Sequence, residues 1–136
     1  LTSRLGKQYD SFCPFDEKSE GGKACVNGLL TMGENIGDVG GLSLAYRAYK
    51  LSLHGKPAPV IDGLTGDQRF FLSWAQVWRS QVRDEMARQY LVTDPHSPAQ
   101  YRINGVVRNF DEWVKAFGVK PGDKLYLPPA ERVRIW

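Results

Sequence analysis

The segment from Thr31 to Gly41, Thr-Met-Gly-Glu-Asn-Ile-Gly-Asp-Val-Gly-Gly, constrains the fold of this chain more than any other. Thr31 followed three residues later by Glu34 has the pattern of a capping box, which predicts that a helix begins here and runs to about Leu53. On such a helix Glu34 and Asp38 lie one turn apart on the same face. The apolar residues of the helix fall roughly a quarter-turn away, at Val39, Leu42, Tyr46, Tyr49 and Leu53. The two carboxylates therefore border the buried side, where they need a cation, a proton or a hydrogen-bond donor.

The segment alone leaves two interpretations of this acidic pair. In the first, Glu34 only completes the capping box and Asp38 is a first-turn acid that the helix dipole favours. In the second, the two carboxylates belong to a functional site. Both interpretations stay open until the rest of the chain is considered.

The N-terminal part of the chain predicts a short helix and a loop. Residues 1–12 have the apolar side of a helix, which Pro14 ends. Residues 16–28 are polar and rich in glycine, which predicts a loop. Cys13 and Cys25 stand twelve residues apart across this glycine- and lysine-rich loop. They can form one local disulfide or stay reduced, and two cysteines alone do not identify a compartment.

A second capping box, Thr65 with Gln68, predicts a long helix from there to about Tyr90. A bend is allowed between residues 79 and 84, because charged residues interrupt the apolar stripe there. The predicted buried stripe consists of Phe71, Trp74, Trp78 and Val82. Aromatic residues at this spacing are typical of a core and not of a cofactor site.

The last third of the chain predicts a rigid loop followed by one short helix. Residues 93–98 contain two prolines and cannot be helical, and residues 101–107 are either extended or a turn of helix. Asn109 is predicted to begin a helix that Gly118 ends. The terminal Trp136 is expected to be docked against the core. The predicted fold class is mainly α.

Length and composition describe an ordinary globular chain. Its 136 residues correspond to one domain of typical size, and the chain is long enough to form a hydrophobic core. A net charge of +3, without a basic run, gives no reason to expect nucleic-acid binding. No apolar run approaches the ~20 residues that a membrane span needs, so none is predicted in this segment.

Five segments carry a resemblance to a known family. Residues 33–49, Gly-Glu-Asn-Ile-Gly-Asp-Val-Gly-Gly-Leu-Ser-Leu-Ala-Tyr-Arg-Ala-Tyr, resemble the segment that carries the third zinc ligand in the neprilysin family of zinc endopeptidases. Four others match in the same order: Phe-Phe-Leu-Ser-Trp-Ala-Gln-Val-Trp at 70–78, Thr-Asp-Pro-His-Ser-Pro at 93–98, Tyr-Arg-Ile-Asn-Gly at 101–105, and Trp136. The resemblance covers nearly the whole chain. It implies the C-terminal helical portion of a zincin-type, thermolysin-like catalytic domain.

The resemblance also implies roles for single residues. Glu34 corresponds to the zinc ligand of the family's Glu-Asn-x-x-Asp helix, and Asp38 to the acid that hydrogen-bonds a ligating histidine and fixes its orientation. His96 corresponds to the histidine that donates to the negatively charged oxygen of the tetrahedral intermediate. Asp94, two residues earlier, is placed to orient or charge that histidine. Arg102 corresponds to the arginine that binds a substrate backbone carbonyl.

Plainer interpretations exist for two of these residues. Without the resemblance, His96 in a polar loop is an ordinary surface histidine. Arg102 is then a partner in a structural salt bridge.

The sequence departs from the family pattern in one respect. A catalytic zinc takes three protein ligands, and in this family two of them are histidines of an H-E-x-x-H helix whose glutamate is the general base. The chain contains no H-E-x-x-H, and its two histidines, His54 and His96, stand in unrelated contexts. Because the motif lies upstream of the Glu-Asn-x-x-Asp helix in the family, we expect residues 1–136 to be a single domain, the C-terminal fragment of a metallopeptidase catalytic domain, and to be inactive alone.

The predicted function is therefore that of the C-terminal part of a zinc-dependent endopeptidase, which hydrolyses peptide bonds of short peptides by metal-activated water. Its expected partners are peptide substrates, the N-terminal portion of the same enzyme and, through exposed apolar surface, further copies of itself. The alternative is a non-catalytic helical module that binds peptides or a partner chain. Val119 and Val133 stand where animal members carry cysteines, which favours a bacterial-type member, and the family implies a periplasmic, secreted or cell-surface location.

Overall fold

The computed structural model describes residues 2–135, and within them the chain is helical. Its α-helices are α1 Thr2–Asp10, α2 Met32–Ser52, α3 Gly66–Val77, α4 Asp84–Thr93, α5 Ala99–Val107 and α6 Asp111–Phe117, followed by a 3-10 turn at Pro129–Glu131. Pairing of extended segments in the described residues is limited to two isolated bridges, Phe15 with Ala24 and Ile61 with Leu64. The predicted fold class, mainly α, is confirmed.

The core lies where α2 packs against α1 and α5, and where α3 packs against α5 and α6. Its most enclosed residues are Leu5 and Tyr9 of α1, Val39 of α2 and Val106 of α5. Phe12, just after α1, stacks on an aromatic ring of α5. All buried residues of α2 fall between positions 35 and 42. The first half of α2 is therefore the part that the core fixes in place against α5.

The start of α2 differs from the prediction in its capping. The helix begins at Met32, but the Thr31 side chain makes no capping hydrogen bond. The Thr31 hydroxyl instead donates to the carbonyl of Asn27 over 3.0 Å and accepts from the side-chain amide of Asn35 over 2.9 Å. The predicted capping box is wrong here because the hydroxyl is already engaged on both sides. Glu34 therefore has no capping role.

The region after Thr65 contains two helices where one long helix was predicted. The capping box of Thr65 with Gln68 is confirmed, with both reciprocal hydrogen bonds present. However, α3 ends at Val77, and residues 78–83 are not helical before α4 begins. Val82, predicted to be buried, is 44% exposed. The charged residues of this stretch leave no continuous apolar stripe that would hold one helix against the core.

Asn109 has a different role from the predicted helix cap. Phe110 takes the cap position of α6, and Asn109 is buried. Its side-chain amide donates to Gln8 and Gly105, and its oxygen accepts from the backbone N–H of Val133 over 2.8 Å. This network ties the described end of the chain to α1. The predicted helix end at Gly118 is confirmed, with a left-handed φ of 63°, whereas the predicted docking of Trp136 lies outside the described residues.

Cys13 and Cys25, left open by the sequence, form a disulfide. The disulfide closes the loop between α1 and α2, which we call the disulfide loop (residues 13–25). Arg88 of α4 holds this loop from outside. Its Nη2 donates to the carbonyl of Gly22 over 2.8 Å, and its guanidinium lies 3.9 Å from the ring centroid of Phe15. Arg88 therefore connects α4 to the disulfide loop.

Candidate active site

Glu34 and Asp38 lie one turn apart on α2, as predicted, but they differ in burial. The Asp38 side chain is 8% exposed, because it faces α5, whereas the Glu34 side chain is 45% exposed. Gly37 lies between them, and a Cβ built on it would touch nothing in the described chain within 4 Å. The acidic face of α2 is therefore open around Glu34 and closed around Asp38.

Asp38 and Arg102 form a two-pronged salt bridge between α2 and α5. Arg102 Nε donates to Asp38 Oδ2 and Arg102 Nη2 to Asp38 Oδ1, each over 2.7 Å. These hydrogen bonds, followed by the nearby negative charges, raise the pKa of Arg102 above its ordinary value. The guanidinium also lies 3.8 Å from the ring centroid of Trp78, and its Nη2 is 3.7 Å from Glu34 Oε2. Arg102 is thus held between two carboxylates and an aromatic face.

His96 lies between Asp94 and Glu34. Its Nδ1 is 2.7 Å from Asp94 Oδ1, and its Nε2 is 3.2 Å from Glu34 Oε2. The backbone N–H of His96 also donates to Asp94 Oδ1 over 2.9 Å. That backbone hydrogen bond, and then the one from the ring, lower the pKa of the Asp94 carboxyl below its usual range. The contact with Asp94 orients the His96 ring so that its Nε2 points towards Glu34.

A cavity of about 370 Å³ opens beside His96 and Arg102. His96 and Arg102 line one side of the cavity. We call this side, together with the residues of α2 that contact it, the α2–α5 wall. The other side, which we call the α4 wall, is formed by Ala87 and Tyr90 of α4 together with Val82. Trp78 lies at the back, where the chain leaves α3. The cavity combines apolar surface with a few convergent polar groups, which is typical of a ligand-binding site.

The structure brings all five predicted site residues together. They lie on three separate parts of the chain and form one connected series of contacts: Asp38, Arg102, Glu34, His96 and Asp94. The pair formed by Asp38 and Arg102 was not predicted as such. The salt bridge that the plainer interpretation of Arg102 predicts is therefore present.

Sequence reasoning missed three residues that support the site. Trp78 was assigned to the core stripe, yet it stacks on Arg102. Asn35 is fully buried and accepts a hydrogen bond of 2.7 Å from the hydroxyl of Ser97. One signal in the sequence was available, since Asn35 and Ser97 each directly follow a candidate site residue. Nothing in the sequence shows that the two contact each other, because they are 62 positions apart.

Comparison with known proteins identifies the family. Residues 2–133 match the model of Peptidase family M13. The chain belongs to this family. The neprilysin-like assignment made from the sequence is therefore confirmed.

Individual M13 relatives agree with this. The chain is 43% identical to Neprilysin-2 of Caenorhabditis elegans, over 97% of this chain and 17% of that protein. It is 43% identical to endothelin-converting enzyme 1 of Bos taurus, over 82% of this chain and 15% of that protein. The open state of the Mycobacterium tuberculosis zinc metalloprotease Zmp1 superimposes with a TM-score of 0.94 and 54% identity, over 99% of this chain and 21% of that one. The higher identity to a bacterial member is consistent with the bacterial type predicted. In every case the chain spans a small fraction of its relative.

The M13 family implies zinc, and the donor set can be tested against that requirement. Among residues 2–135, no group of three or more His, Cys, Asp or Glu side chains is placed to hold a metal ion. The half-exposed carboxylate of Glu34 is a suitable ligand type, with His96 as its nearest imidazole. The described residues therefore fit one part of a zinc site and not a whole one. Separately, no described helix is both long and apolar enough to cross a bilayer.

Proposed function

We propose that this chain is part of a longer zinc-dependent endopeptidase that cleaves peptide bonds in short peptides. The observation that carries the proposal is the contact of Glu34 with both His96 and Arg102, which line one cavity, in a chain that belongs to an endopeptidase-containing family. The small share of each relative that the chain covers supports the view that other segments complete the site.

Glu34 is the group that we assign to the metal. Its carboxylate is accessible, as a ligand must be, and a carboxylate oxygen is a suitable donor for zinc. The other ligands would come from a part of the enzyme outside this chain, as the family's H-E-x-x-H motif implies. When bound, zinc would supply an activated water and polarise the scissile carbonyl.

We assign His96 the role of stabilising the transition state. An N–H donor aimed at the oxygen on which negative charge develops lowers the barrier by a few kcal/mol, typically about 3. Asp94 holds the ring by its Nδ1, so that Nε2 points into the site. Because Asp94 is bonded to both the backbone and the ring of His96, little reorganisation is needed when charge develops.

Arg102 and Asp38 are assigned to substrate binding and to orientation. The pairing with Asp38 uses two of the five N–H donors of Arg102, which leaves donors for a substrate carbonyl at the cavity. Asp38 in turn fixes the guanidinium plane. In the family Asp38 would also orient a ligating histidine, which its remaining lone pairs allow.

The partners and location follow from the same reasoning. Large apolar side chains are exposed on several helices, which supports contact with the rest of the enzyme or, in isolation, with other copies: Leu44, Leu51, Val77 and Val92. The disulfide between Cys13 and Cys25 supports an oxidising compartment, such as the periplasm or the cell exterior.

The test is metal content and peptide cleavage in the complete enzyme. Wild type should contain one zinc per chain and cleave short peptides in a chelator-sensitive manner. Glu34→Gln should lose most of the zinc and the cleavage, because a neutral amide is a poor zinc ligand. Glu17→Gln, an exposed residue of the disulfide loop, changes the net charge equally and should retain both. Peptide binding without cleavage by the wild type would contradict the proposal and support the non-catalytic module.

The chain of residues 1–136 on its own should show neither stoichiometric zinc nor chelator-sensitive cleavage. The reason is that its described residues offer one carboxylate ligand where a catalytic site needs three. Zinc-dependent cleavage by this chain alone would contradict the assignment of the missing ligands to another segment.

A further inference from the structure

A series of buried hydrogen bonds joins the start of α2 to the segment that carries His96. Ser97 Oγ donates to Asn35 Oδ1 over 2.7 Å, and Asn35 Nδ2 donates to Thr31 Oγ1 over 2.9 Å. The Thr31 hydroxyl then donates to a backbone carbonyl. Asn35 is 0% exposed, and Ser97 and Thr31 are each 3% exposed. Buried polar groups are costly unless bonded, and each of these three side chains is bonded.

The series has a fixed direction. The Thr31 hydroxyl has one hydrogen, which it gives to the carbonyl, so it can only accept from Asn35. The amide nitrogen of Asn35 therefore faces Thr31, and its oxygen faces Ser97. A hydrogen bond with a fixed donor and acceptor determines the relative position of two segments more narrowly than an apolar contact does.

The two linked residues stand directly beside the proposed site. Asn35 follows Glu34, and Ser97 follows His96. Asp94 orients the His96 ring, but it lies in the same segment and cannot fix that segment relative to α2. The Ser97–Asn35 hydrogen bond does join the two. It lies underneath the exposed contact of 3.2 Å between Glu34 and His96.

We propose that Asn35 and Ser97 are positioning residues, whose buried hydrogen bond sets the distance between His96 and Glu34. This inference rests on the proposed peptidase function. The bond holds the His96 donor where charge develops on the substrate, and neither residue needs to touch the substrate. Loss of the bond lowers kcat and leaves KM nearly unchanged, because a misplaced donor weakens the transition state more than the ground state. A displacement of about 1 Å in such a group lowers the rate by up to about 100-fold.

The first test compares Ser97→Ala with wild type in the complete enzyme. We expect kcat to fall by about 10-fold or more with KM within about twofold. Ser97→Thr retains the hydroxyl and should recover most of kcat. The control is Asn109→Ala, which removes another buried, fully bonded amide that does not line the cavity. It should lower the unfolding temperature at least as much as Ser97→Ala does, and leave kcat unchanged below that temperature.

The second test asks whether Ser97 acts through His96. If it does, the double variant His96→Ala with Ser97→Ala loses no more kcat than His96→Ala alone. Independent losses that multiply would overturn the inference, as would an unchanged kcat in Ser97→Ala or an equal loss of kcat in Asn109→Ala. Absence of metal-dependent cleavage in wild type would instead overturn the proposed function and this inference with it. The two failures are therefore distinguishable.

Discussion

The α2–α5 wall of the cavity and its α4 wall differ in how much of each is buried. On the α2–α5 wall, Asp38 is 7% exposed as a residue, Asn35 is fully enclosed and the Arg102 side chain is 13% exposed, so that buried residues support the half-exposed side chains of Glu34 and His96. On the α4 wall, Leu91 is the one buried residue among those of α4. Tyr90, which lines the cavity, is 42% exposed.

The two walls are also held by different interactions. Charged and polar hydrogen bonds within the core join α2 to α5 and to the His96 segment. The α4 wall is held by apolar contact of Leu91 and Ala87 with the core, and from outside by the contact of Arg88 with the disulfide loop. Donors that must be aligned to fractions of an ångström belong on a rigid wall. A surface that only has to contact a variable substrate side chain needs less rigidity, so the less buried α4 wall can provide it.

The largest loss of stability should come from Asp38→Ala, on the α2–α5 wall. The change leaves the Arg102 charge without its partner on the buried wall, and we expect the free energy of unfolding of the chain to fall by about 2–3 kcal/mol, somewhat below the cost for fully buried pairs. Chemical denaturation measures it. Lys50→Met removes one partner of an exposed pair with Asp67, whose side chains are 47% and 34% exposed, and should cost no more than about 1 kcal/mol. Equal costs for the two variants would mean that burial does not raise the cost of breaking the ion pair on the α2–α5 wall.

Much of the buried wall could be predicted from the sequence. A helix repeats every 3.6 residues, so Glu34 and Asp38 had to share a face once a helix was assigned there. The capping box at Thr65 was equally local and was predicted correctly. The resemblance then supplied His96 and Arg102, because no local sequence pattern determines where these two residues lie in the fold.

The less buried α4 wall and the buried hydrogen bonds of Thr31 could not be predicted in this way. Trp78, which was assigned to one long helix, follows the end of α3 and stacks on Arg102, a residue distant in the sequence. Thr31 matched a capping pattern, but its hydroxyl is used by Asn27 and Asn35. In both cases a tertiary contact outweighed the local preference, as it commonly does.

The disulfide should have the next largest effect, and mainly on the α4 wall. Replacing Cys13 and Cys25 together by Ser should lower stability by about 2–3 kcal/mol, because the unfolded chain loses the constraint of a short loop. Hydrogen exchange should speed up in the disulfide loop and in α4 more than in the first half of α2. Uniform acceleration over all helices would contradict the view that the disulfide loop supports α4 in particular.

A smaller effect is expected from Arg88→Met, which keeps the long unbranched stem and removes the charge. It loses one hydrogen bond to Gly22 and the contact with the Phe15 ring, together worth about 1 kcal/mol. Exchange of α4 amides should rise, whereas Arg83→Met, an exposed change just before α4, should leave it unaltered. In a protein that lacks the disulfide the Arg88 effect should shrink, because the loop it holds is already loosened. Full additivity of the two changes would contradict the link.

The smallest effect should be the pH dependence that Asp94 confers where the two walls meet. Hydrogen bonds from His96 lower the pKa of Asp94 in the folded state, so Asp94 favours folding above its unfolded pKa of about 3.9. This contribution is lost as the pH falls from there through the folded value. Asp94→Asn should therefore flatten the decline in stability below about pH 4 and lower stability slightly at neutral pH. Unfolding measured from pH 2 to 7, with Glu17→Gln as the charge-matched control, tests this. If stability falls as steeply with acid in Asp94→Asn as in wild type, the carboxylate does not favour the folded position of His96.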